Sequence, residues 1–346
     1  MSKTLLSISL ILLLPIMMAC GTASTPPSPT ATPISTDTPT PTPEPPTPTL
    51  MPPSPPPTVP PPTDELATQL MEQLYPEATP EIDSFGGIEG VGVIPLTVRA
   101  EQPPLWAAFS YGLRGFEIEQ KHFVAIYTYD GSNWQELNRV EMDDADYVGE
   151  GSVRQTPLEP EHVWLELDAG VGAHSGTYHL LRFDGQNLQI ALSGFNASPD
   201  AGQTADLNDD GLLEVVLNFT DPYVFCYACG MRLPMYQVWQ WDGAQLVEVT
   251  LTPLPDSAPT ELREANNQAV TLAEGWLWKD AQTAIAEALA IDPANQTVIW
   301  NNILITMHTD DLVEQIKSGS YPLLANIFYG DYAAALDLMR PYAVEE

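Results

Sequence analysis

Positive charge is the scarcest feature of this chain: 12 Lys and Arg stand against 46 Asp and Glu in 346 residues, a formal net charge of -34. Such a surface repels phosphate backbones and anionic headgroups, so nucleic acid is not an expected partner, while divalent cations are favoured. Charged residues make up only 17 % of the chain, so the imbalance reflects missing lysine rather than a dense acidic coat. Cysteine is nearly absent too. The three are Cys20, Cys226 and Cys229, and with no second CxxC and no histidine pair nearby a zinc cluster lacks its ligands. One long apolar run exists, Leu5 to Met18, and it is too short for a comfortable membrane span. Also missing are G-x-S-x-G, H-E-x-x-H and a phosphate-cradling glycine loop. His174 has Ser175 beside it in V-G-A-H-S-G, but this is no nucleophile elbow, and a structural loop is the expectation. With no catalytic constellation in view, the chain reads as a protein that is not an enzyme.

What is present begins with an address. Lys3 gives a thin positive start, and the apolar run ends Met17-Met18-Ala19-Cys20-Gly21. These residues resemble the lipobox of bacterial lipoproteins, with Met17 where Leu, Val or Ile is usual. The resemblance implies a signal peptide over 1–20, cleavage before Cys20, lipidation of Cys20, and a protein held at the cell surface by that lipid. An ordinary secretory signal is the alternative. Residues 21–63 follow as a Pro/Thr-rich disordered stalk. Proline this dense favours extended polyproline II, and the stalk would reach roughly 100 Å at about 3.1 Å per residue.

The head is expected over 64–255, opened by a helix from Asp64 to Leu74 with Leu66, Leu70, Met71 and Leu74 at helical spacing. From Ile94 the alternation changes to period two and three related stretches appear. They are Y-T-Y-D-G-S-N-W from Tyr127, L-R-F-D-G-Q-N-L from Leu181 and W-Q-W-D-G-A-Q-L from Trp239. Asp-Gly between alternating apolar runs is a hairpin signal, and Asp130, Asp184 and Asp242 lie roughly 55 residues apart. An apolar strand precedes each hairpin, at Leu105 to Tyr111, Val163 to Leu167 and Leu212 to Phe219, with a long connection between strand and hairpin.

Ahead of the third strand stands A-D-L-N-D-D-G-L-L-E-V-V-L, Ala205 to Leu217. Asp206, Asn208 and Asp210 offer oxygens at alternate positions, Gly211 permits a sharp turn that brings in the carbonyl of Leu212, and Glu214 completes the set. Six to eight oxygens in a flexible shell is what Ca²⁺ takes, so this is the expected metal loop. Asp-rich turns also occur as plain solvated loops, with Asp and Asn bonding their own backbone. A second acidic cluster, Glu141, Asp143, Asp144 and Asp146, lacks the glycine and reads as a solvated edge. The whole pattern over Ile94 to Leu251 resembles the FG-GAP or VCBS repeats of integrin-like β-propellers, with the D-x-N-x-D-G-x-x-E loop in the third unit only. The resemblance implies three propeller-blade-like antiparallel β-units, arranged as a compact three-sheet body or a partial propeller with helices over its open edges.

Cys226 and Cys229, as C-Y-A-C between strands, are expected to pair as a disulfide stapling the third unit's long connection. Residues 256–346 turn helical. Ala269, Leu272, Ala281, Ile285, Ala288 and Pro293 fall where a tetratricopeptide repeat wants them, and Gly330-Asp331-Tyr332 with Ala335 looks like a second such helix pair. Trp276, Trp278 and Trp300 line either a binding groove or the contact with the head. The fold class expected is therefore multidomain, β then α. The function expected is Ca²⁺-stabilised binding of an unknown protein or peptide, or scaffolding, at the cell surface. The alternative is an exported hydrolase or its accessory subunit acting on carbohydrate or peptide.

Overall fold

Asp130-Gly131, Asp184-Gly185 and Asp242-Gly243 each turn a hairpin, and the three turns are built alike. Asp130 Oδ1 accepts from the amides of Ser132 (2.8 Å) and Asn133 (2.7 Å), Asp184 does the same for Gln186 and Asn187, and Asp242 for Ala244 and Gln245. The glycine of each pair carries φ between 95° and 99°, a conformation that a Cβ would strain. Backbone hydrogen bonds, from Asn133, Asn187 and Gln245 foremost, hold all three carboxyls below the ordinary aspartate value of 3.8.

The computed structural model describes residues 61–74, 89–100, 102–113, 121–222, 224 and 230–343, which belong to one compact unit, Val59–Glu346. The signal segment, Cys20, most of the stalk and the pair Cys226 and Cys229 lie outside the described residues. Around the hairpins the strands form three sets of four. The first is β1 (Gly90–Leu96), β2 (Leu105–Leu113), β3 (His122–Tyr129) and β4 (Trp134–Met142). The second is β5 (Tyr147–Thr156), β6 (Val163–Val171), β7 (Ser175–Phe183) and β8 (Leu188–Asn196). The third is β9 (Gly202–Ala205), β10 (Glu214–Asn218), β11 (Tyr236–Trp241) and β12 (Leu246–Val249). Within each set every strand pairs antiparallel with the next, giving three meanders. The first two join into one eight-stranded sheet through Gly112↔Val148 and Leu113↔Tyr147. That sheet curls until its outer strands meet, where Leu188 N donates to Asn138 Oδ1 at 3.2 Å.

Alternation then decides which side chains face which layer. Leu105, Ala107 and Phe109 from the first meander and Leu165, Leu167 and Leu181 from the second fill the inside of the curl. On the outer face of the first meander, Ala108, Phe123 and Ala125 receive Leu66 and Leu70 of α1 (Thr63–Leu74). The outer face of the second offers Trp164, Tyr178 and Leu180 to Val215 and Leu217 of β10. The opposite face of that third sheet, Val216 and Val238, packs on Leu304 and Trp300 of α4 (Gln296–Ser318). The architecture is β followed by α, in stacked layers.

The helical region adds α2 (Thr260–Glu274), α3 (Trp278–Ile291), α5 (Pro322–Tyr329) and α6 (Tyr332–Met339). Ala269, Ala281, Ile285 and Ala288 are fully buried; the small alanines let α2, α3 and α4 approach closely around Ile285, while Leu272 packs at the margin. Gly330 caps α5 in the left-handed conformation and Asp331 caps α6 through the Ala334 amide, as the spacing requires. Among the described residues no helix is long and apolar enough to cross a membrane.

Several expectations need correction. The first helix starts at Thr63 rather than Asp64, its turn set by Pro62 O accepting from Glu65 N. The connection between β6 and β7 is not long: His174 closes a tight turn with Gly172 at φ 57°. The strand after the acidic loop begins at Glu214, not Leu212, because Asp210 Oδ1 holds the Leu212 amide in the turn at 2.8 Å. The acidic cluster is also less free than a solvated edge. Asp143 pairs with Lys121, Asp144 Oδ1 meets buried His179 Nε2 at 3.0 Å, and Asp146 accepts from Gly172 N at 2.8 Å.

Candidate functional site

The loops that join the first two strands of each meander hold the same place in its strand order, and two clefts lie between successive loops. One, of about 520 Å³, separates the β1–β2 loop at Arg99 from the β5–β6 loop at Glu159 to His162. The other, of about 680 Å³, separates that β5–β6 loop from the acidic β9–β10 loop, with Arg182 of β7 and Trp241 of β11 in its lining. Glu159, Pro160, Glu161 and His162 belong to both.

In the acidic loop the structure places the expected residues as follows. Asp206 Oδ1 accepts from Asp210 N at 3.1 Å and its Oδ2 from Gly211 N at 2.9 Å. Asn208 Oδ1 also accepts from Asp210 N, and Asn208 Nδ2 donates to Asp210 Oδ2 at 2.9 Å. Gly211 has φ 86° with open space where a Cβ would stand. Glu214 is buried at the start of β10, and its Oε2 accepts from Leu207 N at 3.0 Å. Burial pushes its carboxyl above the ordinary glutamate range, and the charges of Asp210 and Asp206 add to the shift against the Leu207 hydrogen bond. Leu212 is 62 % exposed at the loop tip. Asp206, Asn208, Asp210 and Glu214 thus all belong to one loop, their side-chain oxygens engaged in closing its turn. Their oxygens accept chiefly from backbone amides, with Asp210 Oδ2 also taking Asn208 Nδ2, and among the described residues no three His, Cys, Asp or Glu side chains converge as a metal cluster.

The cleft wall opposite this loop is a preorganised polar group that sequence reading missed. Glu159 Oε1 accepts from Trp164 Nε1 at 3.0 Å and from His162 Nδ1, and Glu159 Oε2 accepts from the Glu161 amide. Arg182 Nη2 lies 2.9 Å from His162 Nε2, so one neutral tautomer serves both neighbours: Nδ1–H to the carboxylate, Nε2 accepting from the guanidinium. Burial pushes the Glu159 carboxyl up, but the hydrogen bonds from Trp164, Glu161 and His162 outweigh it and hold the group below the ordinary glutamate value. The guanidinium of Arg182 sits over two indoles, 5.2 Å from the Trp241 centroid and 5.7 Å from that of Trp164, which themselves meet edge to face at 5.4 Å. The available signal was positional: Glu159 and His162 occupy the place in the second unit that the acidic loop occupies in the third.

The second and third meanders are locked together below the cleft. Glu166, 3 % exposed, takes Arg154 Nε at 2.9 Å, Tyr178 OH at 2.9 Å and, from β9, Thr204 N at 2.8 Å. Gly202 lets β9 lie flat on the Tyr178 ring, where a Cβ would come within 2.6 Å of Cγ. The cleft is therefore a rigid feature of two packed sheets rather than of loops alone.

Of the tryptophans expected at a helical groove, Trp278 is buried and stacks on His308 at 4.5 Å, and Trp300 packs on the third sheet. Only Trp276 is exposed. The face of α4 that holds Trp300 caps the β-region. The chain matches no protein-family model, and comparison with curated proteins finds no significant relative.

Proposed function

We propose that this chain is a lipid-anchored, extracytoplasmic binding protein that performs no catalysis. In this reading the three meanders are propeller-like blades, the tail is a short tetratricopeptide-like stack, and the Asp206 to Glu214 loop takes Ca²⁺ to brace the third blade. The observation that carries the reading is the cleft of about 680 Å³ between equivalent loops of the second and third meanders, one wall of which is the acidic loop itself. Ligands bind preferentially in such preformed concavities with a few fixed polar groups. The way two cleft residues are held supports a binding role. The His162 nitrogens are committed to Glu159 and Arg182, and the Glu159 carboxylate to Trp164, His162 and the Glu161 amide, so neither side chain is free to move a proton. Asp206, Asn208, Asp210 and Glu214 would supply side-chain oxygens and Leu212 its carbonyl, and a bound Ca²⁺ would neutralise carboxylates that the fold crowds together.

Thermal unfolding of the chain with calcium and with excess chelator tests this, beside an Asp206→Ala, Asp210→Ala variant. Saturation at 100 times Kd adds about 2.7 kcal/mol to a state that alone binds the ion. The expected result is a calcium-dependent rise that the variant lacks. Identical melts in all conditions would reduce the loop to a turn and remove the metal from the reading.

A further inference from the structure

We infer that the outer face of α6, at the open end of the helical stack, pairs with the same face of a second copy of this chain. This contact is independent of the cleft and its ligand. It starts from a mismatch between sequence and burial. Seven of the eight residues of α6 are apolar, Asp337 being the exception, yet Ala335 alone is buried. A helix apolar on all sides belongs inside a packed assembly. The earlier alanine-rich helix α3 buries Trp278, Ala281, Ala284, Ile285 and Ala288, because α2 and α4 both pack on it. By contrast α6 packs chiefly on α5. Leu336 is left 60 % exposed, with Tyr332 and Met339 exposed beside it at spacings of four and three residues, which sets the three on one side.

Shape and charge then select the occupant. Leu336 and Met339 stand along one wall of a groove of about 660 Å³, whose other wall is the start of α5 at Tyr321, Pro322 and Leu323. Ala333 is exposed next to this ridge, and a small residue on an outward helix face lets a second helix come close. A two-fold contact requires a patch that complements itself, and a ridge beside a groove does so. Charge points the same way. At a formal -34, two copies repel each other over most of their surface. From Ser318 to Ala343, however, the only charged residues are Asp331, Asp337 and Arg340. Asp331 is paired with Lys279 at 2.6 Å and Asp337 with Arg340 at 3.1 Å, so this face is neutral on an acidic molecule. A like-charged copy approaches here without local repulsion, whereas a basic partner is drawn to the acidic remainder. Asp337 and Arg340 present both signs to the mate, so neither charge is covered unpaired.

Sedimentation equilibrium of the full chain from about 1 to about 100 μM, at about 0.05 M and about 0.5 M salt, tests this. Leu336→Glu adds a carboxylate to each side of the contact; Leu336→Met keeps an apolar ridge, and melts of both report folding. The inference expects a monomer–dimer equilibrium that tightens as salt screens the remaining acidic charge. Leu336→Glu should weaken it roughly tenfold or more, and Leu336→Met only a few-fold. A monomer throughout the range overturns the inference. A dimer indifferent to Leu336→Glu overturns the face, because a contact through the N-terminal apolar run or any other surface would survive that change. A monomer that floats with phosphatidylcholine vesicles, and ceases to float as Leu336→Glu, overturns the second copy as occupant and gives the face to a lipid surface.

Discussion

Asn301 shows how single buried amides tie the β-region to the helices. It is fully buried on α4, yet its Oδ1 accepts from Thr252 N at 2.8 Å and its Nδ2 donates to Thr252 O at 2.7 Å and Asn266 Oδ1 at 2.8 Å. Asn267 repeats the pattern two residues along, taking Leu254 N at 2.6 Å and giving to Leu254 O at 3.1 Å. The segment after β12 is thereby paired as though to a strand, although its partners are helix side chains. Replacing Asn301 with Leu keeps the volume but takes that partner from the Thr252 amide and from the side-chain carbonyl of fully buried Asn266. The expected cost is about 2–4 kcal/mol, read as a lower midpoint in urea unfolding. An unchanged midpoint would mean that the segment is held by apolar contacts alone. None of this was visible in sequence, where Asn266, Asn267 and Asn301 look like ordinary polar positions on helices.

At the scale of elements, the hairpins and helices were legible and the cleft was not, for one reason. Asp-Gly turns, capping Asp331 and the alanine stripe of α2 and α3 are decided by neighbours a few residues apart. Glu159, Arg182 and Trp241 come from three different elements, and only the packing of one meander on the next brings them together. Trp241 occupies the repeat position of Phe183, which is buried in the first core, so period alone marks it as core. The joint between α4 and the third sheet carries its own pH dependence. His308 stacks on Trp278, meets Tyr236 edge-on at 5.8 Å and bonds Leu304 O through Nδ1. Burial holds its pKa below the ordinary 6.5. The unfolded chain then binds the proton first, so stability is present above pH 6.5 and lost as pH falls below it towards the folded value. Melting temperature should drop between neutral pH and pH 5, and less steeply in His308→Phe, which keeps the ring stack. Equal slopes for the two proteins would place the sensitivity elsewhere, with His179 next in line because burial lowers it too.

For the whole molecule, the layers are arranged in series: α1, the curled sheet, the third sheet, then the helices. Each inner layer has a partner on both faces, so loss of one exposes apolar surface on two neighbours. Leu217, 1 % exposed between the second and third meanders, is the point at which to test this coupling. Leu217→Ala should cost about 2–5 kcal/mol and move tryptophan fluorescence and helical ellipticity to the same new midpoint. Separate midpoints would show sheets and helices unfolding independently. The hairpin turns carry a last consequence, one of chemical ageing. An aspartate followed by glycine converts to isoaspartate when its side-chain carbon is attacked by the glycine nitrogen. In Asp130, Asp184 and Asp242 the carboxylate is turned away, held on the amides two and three residues further on. In these three turns the fold therefore protects the Asp-Gly link, and isoaspartate found at these positions by peptide mapping would record how long a molecule has spent unfolded.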